Sequence, residues 1–176
     1  MENTLHFKDL GLDNRLLKNL KHFDFKKATE IQQKAIPVVI AGKDLLASSK
    51  TGSGKTLAFV LPMLHKSLKN KAFSAKDPRA LILAPTRELA KQVYGELRTM
   101  LGGLSYDATL IVGGENFNDQ VKALRRYPKF IVATPGRLAD HLEHRSMFLD
   151  GLETLILDEA DRMLDMGFIA SIEKIM

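Results

Sequence analysis

Two stretches of this chain hold residue types that could do chemistry together. The first is SSKTGSGKT, residues 48–56, where Gly52 and Gly54 precede Lys55 and Thr56. Glycines let successive backbone N–H groups converge without Cβ clashes, forming an anion nest at a helix N-terminus. The spacing is that of a phosphate-binding loop, with Ser49 standing in place of its first glycine. On that reading Ser49, Lys50, Thr51, Gly52, Ser53 and Gly54 surround the phosphates. Lys55 reaches the outer phosphates and the Thr56 hydroxyl ligates Mg²⁺. The plainer alternative is a Gly-Ser turn beside a surface lysine. The strand-like run before the loop and the apolar residues after it argue for the phosphate.

The second stretch is TLILDEADRML, residues 154–164, in which an apolar run stops at Asp158, Glu159 and Asp161. Acids at a helix start suit the positive end of its dipole, and alone that reading is preferred. Joined to a phosphate loop, the same acids gain a chemical role. A second strand would then end in Asp158 as a Mg²⁺ ligand, with Glu159 beside it to polarise an attacking water.

Strands and helices must alternate to position such groups. Five strand-like runs recur, starting at Asp44, Ala80, Ala108, Phe130 and Thr154, each followed by a helical pattern. Continuous apolar runs suit a parallel sheet covered on both faces. Leu89, Val93, Leu97 and Leu101 step by four and mark one helix face; Phe117, Val121 and Leu124 mark another. The expected fold is α/β: a mostly parallel sheet with helices on both faces, preceded over 1–43 by a helical extension. Gly102-Gly103 reads as a helix C-cap. His141 and His144 are three apart with no third ligand evident, and read as exposed residues rather than a metal site.

Composition narrows the class. The chain has 176 residues, 45% of them hydrophobic, and a net charge of +5. That is a globular composition with a mild preference for a polyanionic partner. The lack of cysteine excludes a disulfide framework and fits a reducing, cytoplasmic setting. Neither a secretory signal nor a membrane span is expected from the sequence.

DEAD at 158–161, followed by RMLDMGF, resembles the signature of the DEAD-box RNA helicases. PTRELA (85–90), Gly113-Gly114 and TPGR (134–137) stand in that family's order and spacing, so the resemblance covers essentially the whole chain. FDFKKATEIQ is similar to the family's adenine-sensing (Q) motif; it keeps Phe25, Thr29 and Gln32 but has Asp24 and Ala28 where the family has Gly and Pro. The resemblance implies a RecA-like domain that binds ATP and Mg²⁺. Gln32 would read adenine, Phe25 stack on it and Phe7 buttress the pocket. Thr29-x-x-Gln32 also spells a helix capping box, which is the structural alternative.

The remaining motifs concern a second ligand, which the resemblance makes RNA. Pro85, Thr86 and Arg87 begin where a strand ends, so N–H groups and a cation could meet a phosphate there. Gly113 and Gly114 permit close approach of a sugar-phosphate chain, and Thr134, Pro135, Gly136 and Arg137 repeat the arrangement. All three turns fall at carboxyl ends of strands, where open α/β sheets bind ligands. Contacts of this kind reach the backbone and carry little sequence specificity.

The family works through a second RecA-like domain, which supplies catalytic arginines and to which Asp161 helps couple the site. The chain does not contain that domain, nor the Ser-Ala-Thr strand lying between the loop strand and the DEAD strand. Nucleotide binding with negligible hydrolysis is therefore expected. So is an exposed apolar sheet edge, with a strand-exchanged dimer as one remedy. Two other readings compete: a DNA translocase of the same superfamily, and an ATP-gated RNA clamp that anchors partner proteins.

Overall fold

The computed structural model describes residues 5–50, 52–71, 75–168, 170 and 173. It divides into two compact units, one of residues 1–71 with 99–104 and one of 72–98 with 105–176.

The first unit is helical. A 3-10 turn, Phe7–Leu10, leads to α1 (Asn14–His22), α2 (Glu30–Ile40) and α3 (Lys55–Lys69). Helix α1 starts at Asp13, whose carboxylate accepts the Arg15 N–H at 2.9 Å, while the Asp13 N–H donates to His65 Nδ1 at 2.9 Å. The Arg15 side chain holds the Asp13 carboxyl well below the usual carboxylate range. Its core is the apolar faces of the three helices: Leu16 and Leu20, Ala35 and Ile36, and Leu57, Leu61 and Leu64 are all buried. Asn19 joins the turn after residue 100, donating to Met100 O and Gly102 O, both at 2.8 Å.

The second unit is a parallel sheet with its helices: β1 (Ala80–Leu83), α4 (Arg87–Met100), β2 (Ala108–Ile111), α5 (Phe117–Leu124), β3 (Phe130–Ala133), α6 (Pro135–Glu143), β4 (Thr154–Leu157) and α7 (Ala160–Asp165). The order is β2-β3-β1-β4, every pair parallel. The central strands β1 and β3 are buried at every position, as their unbroken apolar runs require. Leu81, Leu83, Ile131 and Ala133 form one cluster with Leu124 of α5, Leu138 of α6 and Met163 of α7. The alternate residues Ile82, Phe130 and Val132 are buried as well, and Phe130 meets Tyr106 edge-on at 5.8 Å. Arg79 sets the start of the sheet, its guanidinium 3.1 Å from both Glu153 carboxylate oxygens and its carbonyl accepting the Glu153 N–H at 2.8 Å.

Two expectations are corrected. The run from Asp44 is not a strand: residues 43–50 carry no regular structure, and Leu45 and Leu46 are 44% and 96% exposed. A strand exists only through a neighbour that takes its backbone hydrogen bonds, and none of the four strands pairs with this run. The second correction concerns His141, which is fully buried; His144 is exposed as expected. Strand β4 is an edge strand, half-exposed along its length, with Leu157 36% exposed. Gly103 takes φ 75° just past α4, in the left-handed region expected of a C-cap. Among the described residues no helix is long and apolar enough to cross a membrane.

Candidate functional site

In the first unit the phosphate loop closes onto the N-terminus of α3. Gly54 is the N-cap residue at φ 82°, ψ 20°, so the loop turns in a conformation that only glycine takes without strain. Lys55 and Thr56 open the helix, where backbone N–H groups lack intrahelical partners. Ser53 Oγ lies 2.9 Å from Ser49 Oγ, and Ser53 N–H donates to Lys50 O at 3.2 Å. Ser49 thus supplies a brace where the motif ordinarily has a glycine. Gly52 lies nearby at φ 80°, and Thr51 lies outside the described residues.

Gln32 is buried against this loop. Its Oε1 accepts the Thr29 N–H at 2.8 Å and its Nε2 donates to Gly54 O at 3.0 Å. The capping box therefore forms, and the same amide also fastens α2 to the loop. One N–H and one acceptor position of that amide are left over from these two bonds. A Cβ at Gly54 would collide with Gln32 Nε2 and Thr29 Oγ1, so the glycine is needed for space as well as for φ. Phe7 is 3% exposed. Its segment is tied to the strip before α2 by Phe7 N–H to Lys26 O at 3.2 Å and Ala28 N–H to Leu5 O at 3.0 Å. Phe25 is 45% exposed and leaves part of its ring surface to solvent.

In the second unit Asp158 follows β4 directly. Its N–H donates to Leu83 O at 2.9 Å, which carries the β1–β4 ladder one residue further and sets Asp158 at the carboxyl end of the sheet. The residue is 3% exposed. Glu159 sits at φ 52°, ψ 52°, a left-handed conformation costing roughly 1 kcal/mol or more for a residue with a Cβ. That turn lets a buried acid and a half-exposed one follow each other before α7 begins. Glu159 Oε2 lies 3.4 Å from Arg162 Nη1, and Asp161 is exposed on α7. The Asp158 carboxylate offers hard oxygens of the kind Mg²⁺ takes.

Three sequence motifs of the second unit meet in one cleft of about 600 Å³. Pro85, Thr86 and Arg87 after β1, Gly113 and Gly114 after β2, and Thr134, Gly136 and Arg137 after β3 all line it. Pro135 is buried as the first residue of α6. Thr86 Oγ1 accepts the Leu89 N–H at 3.2 Å at the start of α4. The two arginines hold the glycine turn from either side: Arg87 Nη1 donates to Gly113 O at 3.3 Å and Arg137 Nη1 to Glu115 O at 2.9 Å. Gly114 has φ 78°, and a Cβ there would collide with the Arg87 guanidinium.

Two buried polar residues behind Arg137 were not singled out by the sequence as site residues. Gln120 projects from α5 and His141 from α6, with His141 Nε2 2.8 Å from Gln120 Oε1. Burial, reinforced by the Arg137 charge, holds the His141 ring down at about 4 from an ordinary 6.5. The signal for both was in the pattern. Gln120 falls three residues after Phe117 on the apolar face of α5, and His141 three after Leu138 on that of α6.

A glycine-built phosphate loop at a helix start, with motif turns at the carboxyl ends of parallel strands, defines a RecA-like phosphate-loop α/β domain. The chain belongs to the DEAD/DEAH box helicase family, whose model matches residues 29–176. It is 46% identical over 174 residues to the ATP-dependent RNA helicase CshA of Listeria monocytogenes, covering 97% of this chain and 32% of that protein. Against the DEAD-box ATP-dependent RNA helicase CshA of Bacillus cereus the identity is 42% over 170 residues, covering 97% and 32%. The crystal structure of a DEAD box protein from the hyperthermophile Methanococcus jannaschii superposes with a TM-score of 0.86 at 36% identity, covering 99% of this chain and 47% of that one. The chain thus spans about a third of the length of the curated relatives it matches.

Proposed function

We propose that the chain is the first, nucleotide-binding RecA-like domain of a cytoplasmic ATP-dependent RNA helicase, which binds RNA by its backbone and separates duplexes locally. The observation that carries this reading is the cleft in which three separate motif turns present two arginines and two adjacent glycines at the ends of parallel strands. A sugar-phosphate chain is the ligand that such a surface suits. It offers anionic oxygens to Arg87 and Arg137 and a narrow ribbon that passes over Gly113 and Gly114. The helix starts after Thr86 and Thr134 add backbone N–H donors.

In this reading ATP occupies the first unit's loop. The loop residues Ser49 to Thr56 are assigned to the phosphates, with Lys55 neutralising them, and Gln32, Thr29, Phe25 and Phe7 form the base end. Thr56 and Asp158 are the residues assigned to Mg²⁺, which would supply charge neutralisation at the outer phosphates. Glu159 orients a water. Asp161, exposed on α7, is assigned to coupling with the second RecA-like domain of the longer protein. The open β4 edge is where that longer chain, or a second copy by strand exchange, would pair.

Titration calorimetry with ADP·Mg²⁺ and with GDP·Mg²⁺ tests the nucleotide half, and binding of a labelled single-stranded RNA tests the other. Adenine-selective binding that weakens in a folded Gln32→Ala variant is expected, together with RNA binding that falls with rising salt. Equal affinity for both nucleotides, or RNA binding unchanged by Arg137→Ala, would overturn the corresponding half.

A further inference from the structure

Arg137 is held from inside the protein. Its Nη1 donates to Gln120 Oε1 at 3.1 Å as well as to Glu115 O, and its side chain is only 17% exposed. Gln120 is itself fixed, because its Nε2 donates to the buried Val112 O at 2.8 Å. That bond settles which end of the amide is which, so the atom facing Arg137 and His141 is the acceptor oxygen. His141 must then donate from Nε2, and its Nδ1 is the bare nitrogen. Nδ1 is buried and has no hydrogen-bond partner among the described residues, as fits a ring chosen for one donated bond.

The ring is also clamped. Phe117 stacks on His141 with centroids 4.1 Å apart and planes 3° from parallel, and the Arg137 guanidinium carbon stands 5.7 Å from the Phe117 ring centre. An imidazolium there would stand beside a guanidinium in a buried place, whereas the neutral ring removes that repulsion. One amide thus joins α5 to α6 through its oxygen and, through its Nε2 on Val112 O and through Arg137 on Glu115 O, reaches both ends of the glycine turn.

We propose that Gln120 and His141 are positioning residues for RNA binding: a buried strut that sets the Arg137 guanidinium and the Gly113-Gly114 turn in the geometry that receives the phosphate chain. The inference rests on the RNA reading of the cleft. The strut itself touches no ligand and acts through Arg137. Losing the His141 donor frees the amide oxygen and ring to shift. The arginine then spends part of its time away from the phosphate path.

The test is the affinity of the chain for a fluorescein-labelled single-stranded RNA over a range of salt, for wild type, Arg137→Ala, Gln120→Met, His141→Phe and His141→Gln. Melting curves confirm which variants are folded. Folded Gln120→Met and His141→Phe are expected to bind roughly five- to tenfold more weakly. Their salt dependence should lose about one phosphate contact, as in Arg137→Ala. His141→Gln, which places an N–H donor near the former Nε2, should recover affinity to within about twofold. Wild-type affinity and salt slope in both truncations, with Arg137→Ala impaired, would overturn the strut while leaving the RNA reading intact. RNA binding insensitive to Arg137→Ala overturns both. If the truncations unfold, His141→Gln and His141→Asn decide, since only the first puts a donor at the right reach. Equal binding by those two variants overturns the strut, and tighter binding by His141→Gln supports it.

Discussion

Two glycine turns of the molecule use the same device with different backing. At Gly54 and at Gly114 the backbone takes a positive φ, and a neighbouring side chain occupies the space a Cβ would need. At Gly54 that neighbour is Gln32, 3% exposed and bonded to both Thr29 and the loop. At Gly114 it is Arg87, an exposed side chain with a single 3.3 Å bond to Gly113 O. The lesson is that a glycine's importance depends on what stands opposite it. A buried, doubly bonded amide cannot retreat, whereas a long cationic side chain can swing into water.

The largest effect is expected at Gly54. Gly54→Ala combines left-handed strain with overlap against a fixed amide, for an expected loss of about 3–4 kcal/mol. Urea unfolding would measure it, and ADP binding should disappear with it. A loss under about 1 kcal/mol would mean that Gln32 yields as readily as Arg87.

Acid comes next, and it strikes the cleft unit through His141. The unfolded chain takes up that proton near pH 6.5, the folded chain only near 4. Stability is therefore full above the unfolded value and declines as pH falls between the two, by up to about 3 kcal/mol. Wild type should lose melting temperature relative to His141→Phe between neutral pH and pH 4; parallel curves would show that the ring is not held neutral.

Gly114→Ala should be milder, about 1–2 kcal/mol, because the strain remains while Arg87 moves aside. Its signature is weaker RNA binding, a urea midpoint lowered by roughly 0.5–1 M, less than in Gly54→Ala, and unchanged ADP affinity. The smallest effect is expected at the exposed Lys34–Glu30 pair on α2, 2.6 Å apart. Glu30→Gln should lower the melting temperature only slightly, and less at high salt. A large drop would show that the start of α2 depends on that carboxylate and not on the Thr29–Gln32 box alone.

Much of the candidate site was legible because its signals are local. Gly52, Gly54, Lys55 and Thr56 are contiguous, and the spacing fixes what a turn into a helix can do. Thr86, Gly113-Gly114 and Thr134 each follow an apolar run that did become a strand, so their place at the carboxyl ends followed from strand polarity alone. Gln32 was legible in half: the capping box could be read along the chain, but its bond to Gly54, 22 residues away, could not.

The unread parts depended on partners distant in sequence. Residues 44–48 have the apolar character of a buried strand, yet a strand is defined by its neighbour, and no described strand takes up their backbone groups. His141 carries the same ring in either environment, and only the packing of α5 against α6 buried it beneath Phe117.

By itself, then, the sequence determined the class of fold, the glycine turn into α3, the acids at the end of β4 and the three motif turns, because residue type and spacing act over a few bonds. Tertiary structure alone decided which runs found ladder partners, which histidine lost its water, and which amide oxygen holds Arg137. Those outcomes turn on desolvation and on hydrogen bonds between groups that the chain keeps far apart until it folds.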